Sequence, residues 1–140
     1  MVRIVAVDGS DPAIAHLLHY LQLTILPHDV PKETESGFWW IGYDGVLPVA
    51  FAAMHPSSQW SDVGYLSRAG VLSSHRGQGV QRRLLRVRER RARVLGWTWL
   101  VSDTKFNPPS ANNLIACGFK TFEPGKPWAD YEATYWKKKL

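Results

Sequence analysis

The six residues Arg76, Gly77, Gln78, Gly79, Val80 and Gln81 have types and spacing that could do chemistry. Two glycines two positions apart let the backbone turn sharply without Cβ clashes, so consecutive N–H groups can point into one concave space. The apolar residues that follow, Val80, Leu84 and Leu85, fall at helical spacing. The turn therefore opens into a helix whose positive dipole end faces the same space, and such a nest binds phosphate. Arg82 and Arg83, one step into the helix, could add charge there, and equally read as a solvated face. With nothing bound, the same string is a plain glycine-rich turn between a strand and a helix.

A set of elements has to hold this turn in place. Val2 to Val7 alternates apolar residues around Arg3 and reads as a first strand, closed by Asp8, Gly9 and Ser10. Ser10 or Asp11 before Pro12 caps a helix carrying Ile14, Leu17, Leu18 and Leu21. The segment from Pro27 to Gly37 has no clear period and carries Asp29, Glu33 and Glu35. Phe38 to Tyr43 and Pro48 to Met54 flank the Asp44-Gly45 turn signal and read as an antiparallel hairpin. His55 to Asp62 reads as a loop, and Val63 to Leu72 as the strand that feeds the glycine turn. The next helix is expected from about Gly77 to Leu95, stopped by Gly96. A strand at Trp97 to Thr104 follows, then a short helix from Ser110 to Cys117, a strand at Phe119 to Phe122, and a last strand at Ala133 to Lys138. This order implies a mixed α/β sheet with helices on both faces.

Composition narrows the function classes. The 140 residues suffice for one domain with a real core, and apolar and charged fractions of 45% and 21% are those of an ordinary globular chain. No apolar run approaches a membrane span and no signal-peptide pattern opens the chain, so a cytoplasmic protein with no membrane partner is expected. The lone Cys117 excludes an internal disulfide and reads as a core residue. None of His16, His19, His28 and His55 has ligand spacing, so no metal is expected. A net charge of +5 favours anionic partners, among them a highly phosphorylated cofactor.

A second motif joins the first: Asn107 to Phe119, NPPSANNLIACGF. With Arg76, Gly79 and Gln81, the positions of Asn107, Gly118 and Phe119 resemble the signatures of the GNAT family of N-acetyltransferases, and the closing TYWKKKL looks like that family's last strand. The resemblance covers roughly residues 63 to 140. It implies a splayed sheet of about seven strands, forming a single acyl-CoA-binding domain over residues 1–140, and acetyl transfer from acetyl-CoA to a primary amine. By position, Gly70, Val71 and Leu72 would hold pantetheine, the run from Arg76 through Gly77, Gln78, Gly79 and Val80 to Gln81 would hold the pyrophosphate with Arg82 beside it, and Asn107 would contact the cofactor arm. Gln81 departs from the pattern, which has glycine or alanine there.

Catalysis is less well matched. Much of the family uses a Glu five residues before the Asn and a Tyr seven after it; here these are Ser102 and Leu114. Another branch uses a Glu on the fourth strand, where this chain has Tyr65. The missing acid matters little, because a leaving thiol of pKa about 8.5 costs only about 2 kcal/mol to expel as thiolate at pH 7. Deprotonating a lysine-type amine costs about 4.6 kcal/mol, against about 1.4 kcal/mol for an α-amine. Tyr65 and Ser102 facing one gap would hold a proton-relaying water. The acceptor, a small molecule or a peptide, would meet the Pro27 to Gly37 segment, the hairpin, and the loops at residues 55–62 and 124–128, where Trp60 and Trp128 join Trp39 and Trp40 as candidate pocket walls. The chain as a homodimer fits the same reading.

Two other classes compete. A non-catalytic acyl-CoA-binding module would explain the missing Glu and Tyr. A nucleic-acid-binding protein would use the arginine-rich helix, but the chain has no recognisable nucleic-acid module and ranks lower on that count. Within that helix Arg88 and Arg91 fall in the apolar arc of Val80, Leu84, Val87 and Leu95, so a buried arginine is expected, with Asp103 as a candidate partner.

Overall fold

The computed structural model describes residues 1–140. Seven strands and three helices follow in the order β1 (Val2–Val7), α1 (Pro12–Ile25), β2 (Phe38–Asp44), β3 (Leu47–Pro56), β4 (Val63–Val71), α2 (Val80–Val94), β5 (Trp99–Thr104), α3 (Pro108–Ala116), β6 (Lys120–Phe122) and β7 (Thr134–Lys139), with a single 3-10 turn at Ser73–His75. They form one seven-stranded sheet in the order β1-β2-β3-β4-β5-β7-β6. The β4–β5 pair is parallel and the pairs at both ends of the sheet are antiparallel. This is the mixed α/β architecture expected from the alternation of hairpins and crossovers.

The chain divides into two compact units, residues 1–55 with 67–84, and residues 56–66 with 85–140. In the first, the two-residue period of β3 explains why both sheet faces need a helix. Phe51 and Ala53 point to one face and pack with Trp39, Ile41 and the α1 residues Leu18, Leu21 and Ile25. Ala50 and Ala52 point to the other and pack with Val71, Val80 and Leu84. Val49 joins the second group because the β2–β3 register shifts at Gly42/Tyr43 and leaves Val49 without an opposite residue. Each fully buried Leu or Ile here is worth about 1.5–3 kcal/mol. Trp39 and Trp40 are core residues rather than pocket walls.

In the second unit, α2 ends in a Schellman arrangement: Gly96 adopts φ 79°, its N–H bonds Arg93 O at 3.0 Å, and Trp97 N–H bonds Ala92 O at 3.0 Å. Trp97 then lies against Gly64, where any Cβ would meet its ring at 2.5 Å. Arg88 is 3% exposed, and burial lowers its pKa to about 10, with Cys117 acting in the opposite sense. Arg91, expected inside as well, is exposed. The next inward position is filled by Ala92, which is fully buried. Cys117 is half-buried, and its carbonyl accepts from Lys138 Nζ at 2.7 Å.

Two helix starts differ from the sequence reading. Gly77 and Gly79 have φ of 76° and 78°, which no helix accommodates, so α2 begins at Val80 rather than Gly77. Pro108 and Pro109 do not precede α3 but open it, because the N–H groups that proline lacks have no intrahelical partner there anyway.

Candidate functional site

The first unit holds the glycine turn. β4 ends at Val71, and Leu72 N–H bonds Val49 O at 2.8 Å. Leu72 O accepts from His75 N–H at 2.9 Å, closing the 3-10 turn. The Leu72 N–H is therefore committed within the protein, while its carbonyl keeps a second lone pair. Gly70 has a packing reason of its own, since a Cβ there would collide with Ile25 of α1. His75 anchors the turn to the hairpin, with Nε2 2.8 Å from Asp44 Oδ2 and Nδ1 2.8 Å from Ser74 Oγ. The hydrogen bond from His75 holds the Asp44 carboxyl below its ordinary range.

Beyond that anchor the chain is open. Arg76, Gly77, Gln78 and Gly79 are exposed, and nothing lies within 4 Å of where a Cβ would stand on either glycine. Arg76 Nε bonds Val71 O at 3.2 Å, which turns the guanidinium back over the end of β4. The first helical bond runs from Arg83 N–H to Gly79 O at 3.2 Å, so Gly79 is the residue before the helix and Val80, Gln81 and Arg82 form its first turn. Gly79 has no side chain with which to cap, and that turn contains no acid. An anion is what such a terminus lacks. Gln81, half-exposed, is the second residue of the helix.

The second unit holds the remaining candidates. The β4–β5 ladder pairs Val63, Gly64 and Tyr65 with Trp99, Leu100 and Val101. Paired residues share a face, so Tyr65, Val101 and Asp103 point one way and Leu66 and Ser102 the other. The hydrogen bonds agree. Tyr65 Oη donates to Asp103 Oδ2 at 2.7 Å, whereas Ser102 Oγ, 7% exposed, donates to Leu66 O at 3.3 Å. Tyr65 and Ser102 thus point to opposite faces rather than into one gap, contrary to the expectation of a water shared between them. Asp103, expected opposite a buried arginine, instead accepts from Tyr65 and, at 2.8 Å, from Trp128 Nε1.

Trp128, a candidate pocket wall by sequence, is the centre of an aromatic cluster. It lies edge-on to Tyr135 (ring centroids 4.6 Å apart), Trp60 (6.0 Å) and Tyr65 (6.1 Å), with Phe122 tilted against it at 6.2 Å. Asn107 Oδ1 accepts from Ser110 N–H at 3.2 Å and so caps α3. Leu114 is buried, 4% exposed.

The sequence matches the profile described as the acetyltransferase (GNAT) family over residues 11–119. No curated protein sequence is significantly similar to it. Among solved structures, an acetyltransferase from Bacillus subtilis in complex with CoA superposes with a TM-score of 0.78 at 14% identity, covering 100% of this chain and 99% of that one. A ribosomal-protein alanine N-acetyltransferase from Escherichia coli gives 0.76 at 16% identity, covering 99% and 94%. An IAA acetyltransferase from Bacillus cereus gives 0.76 at 15% identity over 100% of both chains. At these identities the likeness is one of fold.

Proposed function

This chain belongs to the acetyltransferase (GNAT) family, and from that membership we propose that it is an acetyl-CoA-dependent N-acetyltransferase acting on a primary amine of a small molecule or a peptide. The observation that carries the proposal is the glycine turn. Open space over two left-handed glycines, a helix start with no capping side chain and no acid, and an arginine beside it suit a diphosphate. When bound, acetyl-CoA supplies an activated acyl thioester. The backbone of Gly77 to Gln81 would orient its diphosphate and Arg76 and Arg82 would neutralise charge. Gly70 and Val71 would align the pantetheine, and Asn107 would reach the arm through the amide nitrogen that capping leaves over. All 140 residues would act as one acyl-CoA-binding domain.

A specific pair of observations supports a second reading, a non-catalytic acyl-CoA-binding module. The two positions where much of the family has its acid and base are packed residues here, Ser102 on a main-chain carbonyl and Leu114 in the core. Calorimetry with acetyl-CoA followed by thiol release against a panel of alkylamines, amino-acid amides and short peptides separates the two. Binding with turnover is expected; binding without turnover selects the module, and no binding overturns both.

A further inference from the structure

We propose that Tyr65 and Asp103 are the pair that takes the proton from the attacking amine, with Trp128 as the residue that positions them. The inference rests on the acetyl-transfer reading and names the proton acceptor that reading lacks. Its basis is the convergence of two donors on one oxygen. Tyr65 Oη at 2.7 Å and Trp128 Nε1 at 2.8 Å both donate to Asp103 Oδ2. An indole N–H can only donate, so this oxygen is held as an acceptor. A phenol whose proton is committed to a carboxylate can only accept from any further partner. Tyr65 is thereby set to receive an N–H.

The location fits the role. Tyr65 is the last β4 residue laddered to β5, and it shares its strand with Gly70 and Val71, the residues assigned to pantetheine. Asp103 lies two residues beyond the last laddered β5 position and its side chain returns to Tyr65. Both residues are half-buried. The ring of Trp128 stands edge-on to Tyr65 and is itself packed edge-on against Trp60 and Tyr135, which fixes where its N–H points. Trp128 comes from the segment between β6 and β7, so an indole from outside both strands holds the carboxylate.

In the step, the amine nitrogen bonds the thioester carbonyl carbon and the C–S bond breaks. The sulfur leaves as thiolate and takes a proton from water. The N–H proton passes to Tyr65 Oη while the phenolic proton passes to Asp103 Oδ2, which returns it to solvent. Tyr65 would touch the amine and is the catalytic residue; Asp103 and Trp128 act through it.

The test uses the full chain and acetyl-CoA with the amine panel above, comparing wild type with Asp103→Asn, Tyr65→Phe and Trp128→Phe. Calorimetry with CoA and thermal unfolding on every variant establish that each is folded and loaded. A positioned base contributes about 10²–10⁴-fold, so Asp103→Asn should lower kcat about 100-fold or more with acetyl-CoA affinity unchanged. Tyr65→Phe should fall by a similar factor, and the double variant by no more than either alone. In both single variants the rise of kcat/KM with pH should move toward the pKa of the free amine, so alkaline pH rescues them. Trp128→Phe should lose less than about tenfold and keep the wild-type profile. The pair is overturned if Asp103→Asn and Tyr65→Phe stay within about threefold of wild type. It is also overturned if all three variants lose activity equally with an unshifted pH profile, the mark of packing alone. Acetyl-CoA binding with no thiol release from wild type on any amine would overturn this pair and select the binding module, whereas failure to bind would overturn the function itself.

Discussion

The glycine turn at Arg76–Gln81 and the cluster around Asp103 are built from different materials. As the proposed diphosphate site, the turn would work with main-chain groups from one short stretch, opened by the missing side chains at Gly77 and Gly79. The cluster is made of side chains from three segments, Tyr65, Asp103 and Trp128, joined across 38 and 25 residues. A main-chain site is written locally, as residue types that permit a conformation. A side-chain site is written only in which strands pair and in what register, and one residue of slip exchanges Ser102 for Asp103.

The largest effect expected is at the turn. Gly79→Val places a branched side chain at φ 78° in the open space, at a conformational cost of about 1–2 kcal/mol. Acetyl-CoA affinity measured by calorimetry should fall about 100-fold, a loss of about 2.7 kcal/mol, while the intrinsic fluorescence of the seven tryptophans stays as in wild type. Unchanged affinity would break the contrast, because the main chain would then not be the ligand.

Next comes a place where side chains order main chain. Gln22 is 1% exposed; its Nε2 donates to Lys32 O at 3.0 Å, and its Oε1 accepts from Lys32 N–H at 2.8 Å and Arg68 NH1 at 2.9 Å. Gln22→Leu removes the side-chain partner of both main-chain groups of Lys32 and should cost about 1–3 kcal/mol in denaturant unfolding, with acetyl-CoA affinity kept. A smaller loss, about 1 kcal/mol, is expected for Asn107→Ala, which removes the α3 cap. CoA affinity within about threefold of wild type would show that capping is the main duty of this side chain, and a drop beyond about tenfold that the cofactor arm depends on it.

The smallest effect is a pH dependence. Burial is the largest cause of the lowered His55 pKa, and the charges of Lys32 and Arg68 add to it. The unfolded chain therefore binds this proton at higher pH than the folded one, so stability rises with pH across the window. The contribution is complete above about pH 6.5 and lost as pH falls below it toward the folded value. The melting temperature should decline between about pH 7 and pH 5, and His55→Gln should flatten that decline.

Much of the fold was legible because its signals are local and periodic. The alternation in Val2–Val7, the Asp44-Gly45 turn and the Gly96 stop each mark a boundary the structure keeps. Residues 27–37 have no period because most of what orders them is distant in sequence. They are held by Gln22 on Lys32, Arg68 on Val30 O at 3.1 Å, Thr34 Oγ1 on Gly9 O at 2.7 Å and Trp39 Nε1 on Ser36 O at 2.9 Å. Three of these four bonds join residues ten or more positions apart, which no window of pattern can register. Arg88 and Arg91 do not separate in the sequence for a related reason: helical angle puts both in the apolar arc, and tertiary packing buries Arg88 and Ala92 and leaves Arg91 exposed.

Backbone amide shifts in NMR test the account's central claim most directly, with CoA compared against pantetheine, which lacks the diphosphate. CoA should move the N–H resonances of Gly77, Gln78, Gly79, Val80 and Gln81 together, and pantetheine should leave them in place. Shifts confined to the exposed arginines farther along α2, with these five amides unmoved, would contradict it.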